Sequence, residues 1–169
     1  MISVSSKWTW ITSLAILLAL LFMSLPVFGV ESTTTVLVVG HAHDGEPIDV
    51  YDVEDGDQFE IRYVHSFEGT PIHERYEVDG TSIVQVEERF KYHASGLEHD
   101  RDRYRDGDWM VAELEEEHES FVVRVARSTD QRLVIDGTER SLDSYADPGE
   151  PIELSVEERS RIEHELLSR

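Results

Sequence analysis

The residues best suited to chemistry at close spacing are His65 and Glu74, with Tyr63, Ser66, Thr70 and Pro71 around them. Phe59, Ile61, Tyr63 and His65 share one parity, as do Ile72, Glu74, Tyr76 and Val78. Side chains alternate faces along a strand, so the apolar members mark an inward face and carry His65 and Glu74 onto it. Pairing Ser66 with Pro71 predicts Tyr63 opposite Glu74, with His65 as a diagonal neighbour within side-chain reach. A carboxylate drawn toward an apolar face needs a partner. Two readings follow. One is a small-ligand or metal site at the hairpin end, built from His65 and Glu74 and completed by His93. The other is an internal His–Glu hydrogen bond that fixes the hairpin, the more ordinary use of such a pair.

Other candidates are thinner. His41 and His43 could clip a metal at a strand end, although surface chelation without function is commoner. Asp100, Asp102, Asp106 and Asp108 supply oxygen atoms but not the EF-hand spacing. Ser66 and His65 are adjacent, so on a strand they point to opposite faces and cannot act as nucleophile and base. The sequence holds no nucleophile elbow, phosphate-binding glycine loop or zinc-protease helix motif. No nucleophile, base and oxyanion donors assemble, so no enzyme and no cofactor are expected.

The elements that must position these residues read as strands. Thr33 to Val39 is a β-branched run ending at Gly40. Strands are predicted around Phe59–Tyr63, around Ile72–Val78, and from Ile83 to Phe90, the last with Val84, Val86 and Phe90 on one parity. A polar loop covers Ser95 to Asp108. Trp109–Leu114 and Phe121–Val125 are expected to form a hairpin around Glu115–Glu119. Leu133–Ile135 leads into the turn Asp136-Gly137. The expected fold is mainly β, a small antiparallel sandwich or barrel over residues 32–150. Residues 151–169 are expected as a helical tail, with Ser155 and Glu158 as a capping box and a helix from Val156 to Leu167.

Composition narrows the class of protein. There are 15 Lys+Arg against 36 Asp+Glu, a formal net charge of −21, which excludes a sequence-independent nucleic-acid binder. The acids are dispersed, asparagine is absent, and Lys7 and Lys91 are the only lysines. Such a surface repels itself in dilute buffer and is screened at high salt, as expected in a salt-loving organism. The absence of cysteine rules out disulfides and thiolate metal sites, so the fold must hold by packing. Trp8 to Val30 carries no charge and follows Lys7. It fits a secretory signal and also reaches the ~20 apolar residues of a membrane span, so residues 1–31 are read as signal peptide or anchor. Either places the β domain outside the cytoplasm.

Tyr63-Val64-His65-Ser66, then Thr70-Pro71 and Glu74, resembles the domain-of-unknown-function family numbered 1850. Gly56, Phe59, Phe90, Tyr92 and Gly96-Leu97 fit the same pattern, loosely covering Val36 to Val125. The charged loop after Leu97 departs from the family's Gly-Leu-Pro turn. The resemblance implies a small exported or anchored protein, here of haloarchaeal type, that accompanies a fused permease of a TRAP-type solute transporter. It also implies a recognition edge made of Tyr63, His65, Ser66, Thr70, Pro71, Glu74 and Gly96.

Overall fold

The computed structural model describes residues 33–91 and 103–160. The proposed signal or anchor, His93, Gly96 and residues 161–169 lie outside them. Among the described residues no helix is long and apolar enough to cross a membrane. These residues form eleven strands: β1 Thr33–His41, β2 Pro47–Asp52, β3 Gln58–Val64, β4 Pro71–Asp79, β5 Ser82–Lys91, β6 Arg103–Asp106, β7 Trp109–His118, β8 Ser120–Arg124, β9 Arg132–Ile135, β10 Thr138–Ser141 and β11 Pro151–Ser160. They make two antiparallel sheets, ordered β2-β1-β11-β8 and β10-β9-β3-β4-β5-β7-β6. The mainly β, sandwich-like architecture read from the sequence is the one observed.

Alternation builds the core. Leu37 and Val39 of β1, Ile152, Leu154 and Val156 of β11, and Phe59, Ile61, Tyr76, Val78, Ile83 and Leu133 of the larger sheet form one buried cluster. Val36 and Val38, on the other face of β1, are buried as well, which is why this strand reads as a continuous apolar run. Asp136 (φ 50°) and Gly137 (φ 72°) both take left-handed backbone, as a two-residue hairpin between β9 and β10 requires.

The C-terminal tail expectation fails over residues 151–160. This segment is the strand β11, paired with β1 from Thr33↔Ser160 to His41↔Ile152 and with β8 on its other side. Ser155 therefore caps nothing. Ile152, Leu154 and Val156 repeat every two residues, and burying that face between two partner strands outweighs a local capping pattern.

The expected hairpin between residues 109 and 125 also fails. β7 runs on through Glu115–His118 beside β5, and the chain then changes sheet at Glu119 to place β8 beside β11. Phe121 and Val123 pack on the core from there, while Val122 faces out. Three strands lack a clear sequence signal: β2, β6 and β10. Each lies at a sheet edge, where Pro47 can open a strand without breaking a ladder.

On the outer face of the larger sheet, ion pairs alternate in sign across the strands. They run Asp130–Arg132 (2.9 Å), Arg132–Glu139 (3.6 Å), Glu139–Arg62 (2.6 Å), Arg62–Glu60 (2.7 Å), Glu60–Arg75 (3.2 Å), Arg75–Glu87 (3.2 Å), Glu87–Arg89 (3.1 Å) and Arg89–Asp106 (2.6 Å). Burial alone would raise the Glu60 carboxyl, but Arg62 and Arg75 together hold it below the usual range. His73 sits in the same face, its ring tilted at 48° against Trp109 with centroids 4.8 Å apart. Burial, then the Arg62 charge, pushes its imidazole below the usual value.

Candidate functional site

The hairpin β3–β4 pairs Val64 with Pro71, Tyr63 with Ile72 and Ile61 with Glu74. This register is shifted two residues from the Ser66–Pro71 pairing expected from sequence. Because strand side chains repeat every two residues, the shift preserves every face and changes only the neighbours. Tyr63 becomes the diagonal neighbour of Glu74, and its hydroxyl donates to Glu74 Oε1 at 2.8 Å. The Tyr76 hydroxyl donates to Glu74 Oε2 at 2.9 Å. Tyr76 in turn stacks between Phe59 and Phe121, with centroid distances of 5.2 and 4.7 Å. Glu74 is thus held by two tyrosines, not by a histidine.

His65 follows the end of β3 and belongs to the turn. Its backbone N–H donates to the Thr70 carbonyl (2.8 Å), and its carbonyl accepts from Gly69 N–H (2.9 Å). Its Nδ1 accepts from Glu68 N–H at 3.3 Å. Gly69, at φ 66°, takes the left-handed conformation that lets the turn close. Ser66 is exposed at the turn, and Pro71 opens β4. Thr70 Oγ1 is buried without a hydrogen-bond partner. Among the described residues no group of three or more His, Asp or Glu is placed to hold a metal ion.

A further carboxylate belongs to this site. Glu88 of β5 lies directly opposite Glu74. Val86 makes this so: Arg75 pairs with Glu87 and Tyr76 with Gln85, leaving Val86 as an extra residue in β5. The bulge exchanges the two faces of β5, so Ile83 and Phe90, of opposite parity, are both buried. The sequence reading grouped Val84, Val86 and Phe90 on one face, whereas Ile83 is the buried residue at that end; Glu88, of the same parity as Phe90, was not singled out. Glu88 was legible only as the residue two before a buried Phe90. Phe67, at the turn, is 87% exposed.

Burial raises the Tyr63 and Tyr76 hydroxyls above the usual phenol range, and the Glu74 charge, with a smaller contribution from Glu88, raises them further. Both therefore act as neutral donors and not as bases. The cluster is equipped to orient a polar or cationic group. A separate cleft of about 510 Å³ lies at the other end of these strands, lined by Asp55, Glu77, Asp79, Glu115 and Glu117 over Val84, Val86 and Leu114.

Fold and site together define an antiparallel β-sandwich with an inward-facing Tyr63–Glu74–Tyr76 cluster behind the turn of the β3–β4 hairpin. Residues 59–142 match the family described as Domain of unknown function (DUF1850), and the match supports placing this domain in that family. It runs from β3 to β10 and takes in the whole hairpin site, leaving β1, β2 and β11 outside. No curated protein and no solved structure matches the chain.

Proposed function

We propose that the chain is an extracytoplasmic accessory of a solute transporter, of the TRAP type that the family resemblance implies, and that the β3–β4 hairpin is its recognition element. The observation that carries this reading is the construction of the hairpin. Three hydrogen bonds made by His65 hold the turn, and the Tyr63–Glu74–Tyr76 cluster anchors the strands behind it. A surface ordered before contact loses little freedom on binding, which suits a docking element. Residues 1–31 would export or anchor the domain, and the dispersed acidity would suit it to concentrated salt.

The test is a crosslinked pull-down of the tagged chain from its own membranes in high salt, read by mass spectrometry. A multi-spanning permease is the expected product. Recovery of the chain alone, at a salt that keeps it folded, would refute a stable transporter complex.

The alternative is a stand-alone small-ligand or metal-binding module. It is favoured by the Glu74–Glu88 juxtaposition, which gathers two carboxylates on one face and so suits a cation or an amine better than an anion. It predicts a rise in melting temperature with divalent cations or small amines that Glu74→Gln abolishes.

A further inference from the structure

We propose that the cleft over β4, β5 and β7, at the end of these strands away from the β3–β4 turn, binds a linear aliphatic amine carrying two or more ammonium groups. The site is separate from the hairpin and stands whether or not the chain accompanies a transporter.

The cleft opens where the β5–β7 ladder is irregular. Gln85 pairs with Glu116 and Glu87 with Glu113, so Val86 of β5 and Leu114 and Glu115 of β7 are left outside the pairing. All three line the cleft. Irregularities of this kind re-aim side chains, and here they bring Val86 and Leu114 beside Val84 as an aliphatic floor. Glu77, Val84 and Glu117 stand opposite one another on three adjacent strands, so a carboxylate flanks the floor on each side. The cleft holds about 510 Å³, the size of a small-molecule site.

Ion pairing separates the cleft from the rest of the sheet. Glu60, Glu87 and Glu139 each hold two arginines. Among the described residues none of the five cleft carboxylates has a basic partner. Three are fixed instead by neutral donors: Gly80 N–H to Asp55 Oδ1, Gln58 Nε2 to Glu77 Oε2 and Ser82 Oγ to Glu117 Oε1, each at 2.8 Å. Each bond orients one carboxylate oxygen and leaves the other to accept.

The occupant follows from this lining. Carboxylates around the floor call for more than one positive charge, and the floor calls for methylenes between the charges. Among the described residues no three acids are placed to hold a metal ion, which sets a bare divalent cation aside. No aromatic ring lines the cleft, so it lacks the faces that hold a quaternary ammonium. Protonated primary and secondary amines donate N–H bonds to the open carboxylate oxygens. Such contacts lie within the ~3 Å Debye length of molar salt, so they outlast the screening that removes the diffuse field of the chain.

The full chain, purified in detergent and kept in high salt, is titrated by calorimetry with spermidine, putrescine, ammonium and magnesium. Spermidine should bind more tightly than putrescine, and ammonium and magnesium should give no saturable heat. Glu77→Gln and Glu117→Gln should each weaken spermidine about tenfold, the loss of one charge-assisted contact. Val84→Thr keeps the shape of the floor but makes it polar, and should weaken spermidine severalfold. Asp130→Asn removes the same charge outside the cleft and should leave binding unchanged. Glu117 is exposed, so its Gln variant should melt with the parent chain. No binding in high salt, equal binding of magnesium, or an equal loss in Asp130→Asn would overturn the proposal and reduce the cleft to part of a diffuse acidic surface. Binding lost in Glu74→Gln but kept in Glu117→Gln would overturn it by moving the amine to the hairpin cluster.

Discussion

Glu74 and Glu88 lie opposite each other on adjacent strands, on the face of the sheet that forms the core. Like charges in that position repel. The hydroxyls of Tyr63 and Tyr76 offset this by donating one hydrogen bond to each Glu74 oxygen. Tyr63→Phe removes a donor and should cost about 1–3 kcal/mol, because Oε1 is left half-buried without a partner. Combined with Glu74→Gln, the two losses should fall short of additive by about 0.5–3 kcal/mol. Equilibrium denaturation in high salt measures the cycle. Strict additivity would mean that the contact contributes no coupling.

The acid side of the stability curve should show His73. Its folded pKa lies below the unfolded value of 6.5, held down by burial and by Arg62. The unfolded chain then binds the proton first. The stabilisation is complete above pH 6.5 and is lost as pH falls through the depressed folded value. Glu60, also depressed, adds a second loss of the same sign below its unfolded value of 4.5. His73→Gln should flatten the first limb and leave the second, as read from denaturation midpoints between pH 8 and 4. A mutant curve that superimposes on the parent would refute this assignment.

The ion-pair ladder should be uneven in strength. Glu60, with 16% of its side chain exposed, bridges Arg62 and Arg75. Glu60→Gln leaves two guanidinium groups facing each other without their shared anion and should cost about 1–3 kcal/mol. Asp130 and Asp106, at the ends, are more than half exposed. Their Asn variants should fall within about 1 kcal/mol of the parent. Chemical denaturation of the three variants decides it, and equal costs would count against the gradient.

β11 should behave as core. Leu154 is fully buried between the two sheets, so Leu154→Ala should cost about 2–5 kcal/mol. Ser155→Ala should be close to neutral, because no helix begins there. A thermal melt in which Ser155→Ala is the more damaging change would restore the helical reading.

What the sequence made legible was period-two alternation and one pair. Phe59, Ile61 and Tyr63 against Ile72, Tyr76 and Val78 gave the hairpin and its inward face and brought Tyr63 near Glu74, though directly opposite it where the structure makes it the diagonal neighbour. What stayed hidden depends on partners far along the chain. The bulge at Val86 exchanges the faces of β5 and leaves no local signature, so Val84 and Val86 were grouped with Phe90 although Ile83 is the residue buried at that end. Ser155 and Glu158 carry a helical start signal, and only the distant pairing with β1 decides against it. His65 continues the alternation on paper, but the strand ends one residue earlier, and its ring nitrogen turns to the Glu68 amide.

The first and last described strands are neighbours: β1 pairs with β11 along its whole length, and β8 joins on the far side of β11. Until residue 151 and those after it have emerged, β1 has only β2 beside it, and β8 has no partner in its sheet. The smaller sheet is therefore completed only once β11 has been made, by joining segments far apart in the chain, which is a slow step. A sheet arranged in this way stays open until β11 arrives, and that strand closes it from both sides.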